Sequence, residues 1–103
     1  MAPLDDALEA LADYRRRELL FAVRETRGRI ETVSVPEDVV SEALGDRVVH
    51  EYHHVHLPML EDYGYVHWDR RRDEIAEGPQ FDQLRPLLDG IEGYHDEREP
   101  MTA

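Results

Sequence analysis

The sequence predicts a mainly α-helical domain with one small β-hairpin, on three observations. Apolar residues recur at helical spacing along most of the chain, the period falls to two only around residues 29–35 and 65–77, and Gly or Pro stands where the period changes. At 103 residues the chain has the length of a single domain, since domains commonly run to about 100–200 residues. Residues 1–103 are therefore expected to form one unit, with a core over about 8–77 and additional terminal helices.

The first segment carries Leu4, Leu8, Leu11, Ala12, Leu19, Leu20, Ala22 and Val23 at helical steps with no Gly between them. The polar run Asp13-Tyr14-Arg15-Arg16-Arg17 breaks the apolar stripe, so two helices are expected, with Asp13 capping the second, which runs to Glu25 and stops at Gly28. Arg29 to Val35 alternates polar with apolar and is rich in β-branched residues, the pattern of a short strand before Pro36. Ser34-Val35-Pro36-Glu37 fits a capping box opening a short helix that ends at Gly45.

Asp46 can cap the next helix, expected to run over about 46–63 and to close at Gly64. At 100° per residue, Val48, Tyr52, Val55, Met59 and Tyr63 share one face, flanked by Leu44, Val49, His56 and Leu60. That face is the expected core side, and the opposite side displays Arg47, His50, His53, His54, Leu57 and Glu61. Pro58 lies inside the helix, where its missing N–H predicts a kink or loosening. Tyr65 to Trp68 and Glu74 to Glu77 read as the strands of a hairpin over 65–77, with Asp69-Arg70-Arg71-Arg72-Asp73 as its basic tip. After Gly78-Pro79, the residues Phe81, Leu84, Leu88 and Ile91 give a C-terminal helix over about 80–93, with fraying expected from Gly93.

Composition bounds the chemistry. There are 24 acidic and 12 basic residues, a net charge of -12, yet 41% of the chain is apolar, enough for a core. Every basic residue is Arg and none is Lys. An Asp/Glu-rich surface without lysine's alkyl stems holds water in concentrated salt, so the cytoplasm of a halophile is expected; a high-GC coding bias is the alternative. At molar salt the Debye length is about 3 Å, so net negative charge does not by itself exclude DNA as a partner. The absence of cysteine excludes disulfides, thiolate zinc sites and cysteine nucleophiles. No run approaches the roughly 18 apolar residues of a membrane span, and Asp5, Asp6 and Glu9 make the first ten residues unlike a signal peptide, so a cytoplasmic protein without membrane association is expected.

Helix, helix, strand, helix, helix and hairpin is the order of a winged helix-turn-helix domain, whose last core helix enters the DNA major groove and whose hairpin is the wing. The segment Val55-His56-Leu57-Pro58-Met59-Leu60-Glu61-Asp62-Tyr63-Gly64-Tyr65-Val66 resembles the recognition helix and wing entry of arsenical-repressor-like regulators. His53-His54-Val55-His56-Leu57-Pro58, with Leu60 beyond it and Asp13 to Arg17 upstream, resembles a haloarchaeal family of small winged-helix domains, over roughly Leu8 to Ala76. That resemblance implies a winged-helix fold and, more loosely, transcription regulation, because a fold does not fix a function.

On this reading Arg47, His50, His53, His54 and Leu57 face the major groove, the histidines as neutral hydrogen-bonding groups, while Arg70, Arg71 and Arg72 lie along the phosphate backbone. Asp69 and Asp73 flank that triplet and could neutralise it. Arg15-Arg16-Arg17 is either a phosphate clamp or, more in keeping with its neighbours Asp13 and Glu18, a set of local ion pairs that contribute little energy. His50 and His54 have the one-turn spacing of zinc pairs, but no third ligand is fixed by the sequence, so no metal or other cofactor is expected. His56 falls on the core side and reads as a packing histidine. With no phosphate loop, nucleophile elbow or carboxylates in an apolar pocket, no enzyme and no small-molecule ligand are expected. Leu4, Leu8 and Leu11 with Phe81, Leu84, Leu88 and Ile91 exceed what a bare winged helix buries and suggest a homodimer presenting two recognition helices about 34 Å apart; packing within one subunit is the alternative. An interaction module that has kept the fold and lost DNA is the rival function.

Overall fold

The computed structural model describes residues 3–26, 33–34 and 45–98. Helices α1 (Pro3–Leu11) and α2 (Tyr14–Glu25) meet at a corner where the Asp13 carboxylate accepts from the Arg15 N–H at 2.8 Å. This is the expected cap, and it divides the segment where the apolar stripe broke. Helix α2 stops at Thr26, before Gly28, and the Thr26 hydroxyl donates to the Val23 carbonyl at 2.7 Å. The short helix expected over residues 36–44, and most of the strand expected over 29–35, lie outside the described residues.

The next helical stretch runs unbroken from Gly45 to Asp62 but changes its winding: α3 (Gly45–Glu51), a π-turn (Tyr52–His56), then α4 (Leu57–Asp62). Pro58 explains the change. A proline ring crowds the carbonyl four residues back, that of His54, and offers it no donor. Widening the preceding turn moves that carbonyl aside, and the Leu57 N–H bonds to the Tyr52 carbonyl, five residues back. Pro58 then sits in the first turn of α4, at the junction between the two windings. The expected kink is taken up as a wide turn.

One extra residue in a turn sets every later side chain back by about 100°. Tyr52 is buried as expected, but Leu57, expected to face outward, is fully buried, and Val55, expected in the core, is 50% exposed. The core face downstream of the π-turn consists of His56, Leu57 and Leu60, with Met59 and Tyr63 half-buried. Leu57 is accordingly a core residue and is withdrawn from the surface assigned to it from the sequence.

Gly64, with φ at 82°, ends this stretch in the left-handed conformation that glycine adopts freely. Strands β2 (Val66–Asp69) and β3 (Glu74–Glu77) form the expected hairpin, in antiparallel register from Val66 opposite Glu77 to Asp69 opposite Glu74. Strand β1 (Val33–Ser34) adds to the other edge of β3, giving a three-stranded antiparallel sheet in the order β1-β3-β2. Central Ile75 is fully buried, beneath α2. Gly78 closes the hairpin where the backbones of Gly64 and Val66 pass so near that a Cβ would lie 2.5 Å from the Gly64 carbonyl oxygen.

The chain returns through a 3₁₀ turn (Phe81–Leu84) into α5 (Arg85–Arg98). Pro86 is accommodated in the first turn of α5, and the helix continues past Gly93, where fraying was expected. Phe81, Leu84 and Leu88 are buried together with Leu11, Leu19, Leu20 and Val23, so most of the apolar surplus read as a dimer contact fills the core of one subunit. Ile91 packs partly on that core, whereas Leu4 and Leu8 remain exposed at 57% and 51%. Arg24 ties α5 to α2 by bonding Asp89 at 3.0 Å and Glu92 at 2.6 Å.

The shifted helix face makes a direct prediction. Leu57→Ala should lower unfolding stability by about 2–5 kcal/mol, and Val55→Ala by no more than about 0.5 kcal/mol, measured by urea denaturation. A straight α-helix requires the opposite order.

Candidate nucleic-acid interface

The face opposite the core carries Arg47, His50 and His54, all exposed. Four residues of an ideal α-helix overshoot a full turn by about 40°, and the π-turn reduces the overshoot between residues 50 and 54. Their rings stack, with centroids 4.1 Å apart and planes at 30°. Among the described residues no group of three or more His, Asp or Glu side chains is placed to hold a metal ion.

His53 is placed differently. Its Nε2 lies 2.7 Å from the Asp73 carboxylate, and its ring is nearly parallel to that of Trp68, at 5.8 Å and 6°. The second Asp73 oxygen accepts from the Trp68 indole N–H at 3.2 Å. Asp73 itself has φ at 54°, a left-handed conformation that Asp tolerates better than most residues, at the last position of a four-residue hairpin loop. The guanidinium of Arg70 lies over the Trp68 ring at 4.3 Å and bonds Glu61 of α4 at 3.0 Å. His53 and Glu61 from the helix thus meet Trp68, Arg70 and Asp73 from the hairpin, and the two elements are joined side chain to side chain.

The flanking aspartates do more than offset charge. The Asp69 carboxylate accepts from the N–H groups of Arg71 and Arg72, at 3.0 and 3.3 Å, which is how a short Asp builds a turn. Asp73 is taken up by His53 and Trp68. Arg71 and Arg72 are left projecting from the tip, both exposed, with Arg72 4.0 Å from Glu74. Of the eight residues read from the sequence as DNA contacts, Arg47, His50, His54, Arg70, Arg71 and Arg72 are exposed, Arg70 while also pairing with Glu61; His53 is engaged with Asp73, and Leu57 is core. Sequence reasoning missed Glu61, Trp68 and Asp73 as partners; an aspartate on either side of the Arg triplet was the available signal.

Behind this face lies a buried polar junction. Arg16, only 8% exposed, donates to the carbonyls of Ala10 at 3.0 Å and Glu9 at 2.9 Å, and Arg17 donates to that of Leu11 at 2.7 Å. The arginines cap the C-terminus of α1, where unpaired carbonyls and the helix dipole favour positive charge. Arg15 and Arg17 also lie over the Tyr14 ring. Arg16 and Arg17 thus bond backbone carbonyls in place of the local ion pairs expected with Asp13 and Glu18.

Arg16 reaches on to His56 Nδ1 at 3.3 Å. An arginine only donates, so Nδ1 accepts and the proton of the neutral ring resides on Nε2, 3.9 Å from the Asp13 carboxylate. Burial pulls the His56 imidazole below its ordinary value, against the attraction of Asp13 and with the help of Arg16. Tyr52, edge-on to His56, donates to the Arg15 carbonyl at 3.0 Å, and burial pushes its hydroxyl up to about 12. The π-turn is thereby fastened to the α1–α2 corner by two side chains from its inner face.

Comparison with protein-family models finds no match, and comparisons with curated proteins and with solved structures find none either. No helix among the described residues is long and apolar enough to cross a membrane.

The junction predicts a pH dependence. Because the folded-state value of His56 is lowered, the unfolded chain takes up the proton first. The stability contributed by keeping His56 neutral is present above about pH 6.5 and is lost as pH falls through the lowered folded value. Urea midpoints of the parent should drop over that window more steeply than those of His56→Gln, which retains an acceptor for Arg16. Equal slopes would remove His56 from this role.

Proposed function

We propose that this chain is a DNA-binding regulator of winged helix-turn-helix type, with the 45–62 helical stretch set in the major groove and the 66–77 hairpin acting as the wing. The observation that carries the reading is the union of helix and hairpin. His53 and Glu61 hold the hairpin at the side of the helix, and Arg47, His50 and His54 on one element and Arg71 and Arg72 on the other are all exposed. The strand order β1-β3-β2 agrees with a wing built on a small antiparallel sheet.

The division of labour follows from chemistry. Exposed guanidinium groups at a hairpin tip match phosphates at any sequence, whereas imidazoles on a helix can donate to or accept from base edges. His53 and Arg70 serve the surface indirectly, by fixing the wing. The net charge of -12 opposes approach to DNA in dilute buffer and is screened in concentrated salt, so this regulator belongs in a salt-rich cell such as that of a haloarchaeon. The exposed Leu4 and Leu8 leave α1 available for a homodimer contact.

Fluorescence anisotropy with duplexes from the chain's own promoter region and with scrambled duplexes, in KCl from about 0.5 to 3 M, tests the proposal. Selective binding is expected. Arg71→Gln with Arg72→Gln should weaken every duplex, by a similar factor, while His50→Ala or His54→Ala should change the ranking of duplexes by about 1–3 kcal/mol. No binding at any salt by folded protein would replace this reading with that of a protein-interaction module.

A further inference from the structure

We propose that Asp73 is a positioning residue that sets where the wing arginines stand relative to the helix. The inference rests on the reading of helix and wing as a duplex-binding surface and goes beyond it by naming the group that gives this surface its geometry. Three independent features converge on that one side chain.

First, its carboxylate is shared between the two elements: one oxygen is 2.7 Å from His53 Nε2 on the helix, and the other accepts from Trp68 Nε1 on β2. Second, its backbone occupies the left-handed region, at φ 54°, at the junction where the loop of Arg70 to Arg72 rejoins β3. A single residue therefore bears on both the path of the loop and its distance from the helix, beside the separate link from Glu61 to Arg70. Third, the groups it orders form a stack: the rings of His53 and Trp68 are parallel within 6°, and Arg70 covers Trp68 at 4.3 Å.

The carboxylate is well suited to the task. It accepts at both oxygens, and its short side chain leaves little freedom to the groups it joins. His53 and Asp73 are each about 30% exposed, so their hydrogen bond is partly withdrawn from solvent. Arg71 and Arg72 emerge two and one residues before Asp73, too close in the chain to move independently of it. In a chain whose surface charge is overwhelmingly negative, a carboxylate here contributes through geometry; charge alone would argue against its presence beside a duplex.

Trp68 is the only tryptophan of the chain and lies within the contact, which gives a readout independent of DNA. Asp73→Gly keeps a backbone that tolerates positive φ and removes the carboxylate; Asp73→Asn also tolerates that conformation and keeps an acceptor for Trp68. In the 103-residue chain Asp73→Gly should preserve helical circular dichroism, increase acrylamide quenching of Trp68 and speed amide exchange over residues 66–77. Asp73→Asn should recover part of each change. For duplex binding, Arg71→Gln with Arg72→Gln should reduce the salt slope of the parent by about 1.8, and by less than half as much in the Asp73→Gly background. This coupling is the deciding quantity, because removal of any carboxylate also lessens repulsion of DNA.

Unchanged Trp68 quenching and exchange in Asp73→Gly would overturn the proposal. So would full retention of the arginine effect in that background. Absence of duplex binding by the parent, with the Trp68 and exchange changes present, would overturn the duplex reading while sustaining the hold of Asp73 on the wing.

Discussion

The bond from the Leu57 N–H to the Tyr52 carbonyl sets the arrangement of the helix on which the surface is built. It spans five residues because Pro58 cannot donate to His54 and its ring crowds the carbonyl there. The widened turn rotates the second half of the helix so that Leu57 and Leu60 enter the core and Val55 leaves it. It also aligns His50 above His54, their rings 4.1 Å apart. A change in one hydrogen bond therefore reaches both faces of the element, because helical side chains are fixed to the winding of the backbone that bears them.

Around that helix the ionic groups act as joints. Arg16 and Arg17 close the end of α1, Arg24 holds α5 against α2, and Asp73 holds the hairpin against the helix. Their geometries differ in consequence. Arg16 is almost wholly buried and spends its donors on two carbonyls and His56, so its loss would leave polar groups unsatisfied in the interior. Arg24 bonds carboxylates that are largely exposed, and such pairs contribute little to stability in water. Placement, more than number, determines what each arginine does.

Much of the architecture was legible because it follows from neighbours in the chain. The Asp13 cap, the break between α1 and α2, the glycine stop at Gly64 and the 65–77 hairpin all depend on local backbone preferences, and each occurs where residue type indicated. The C-terminal helix was legible in existence but not in extent, since α5 continues through Gly93 to Arg98. The candidate surface was legible in part: the exposed Arg47, His50, His54, Arg71 and Arg72 follow from helical angle and turn composition. Leu57 did not, because an angular count at constant pitch carries no information about a turn of different width.

The sequence by itself determined the mainly helical class, the position of the hairpin, the lysine-free acidic composition and the arginine-rich tip, since each is expressed in residue type and spacing over a few neighbours. Only the tertiary structure decided that His53 pairs with Asp73 and Arg70 with Glu61, that Arg16 finds His56 across 40 residues, and that Phe81, Leu84 and Leu88 complete the core of one subunit. Those outcomes depend on which surfaces meet once the chain is compact. Burial and hydrogen-bond satisfaction are settled between elements distant in the chain, and neither is encoded in the periodicity of any one of them.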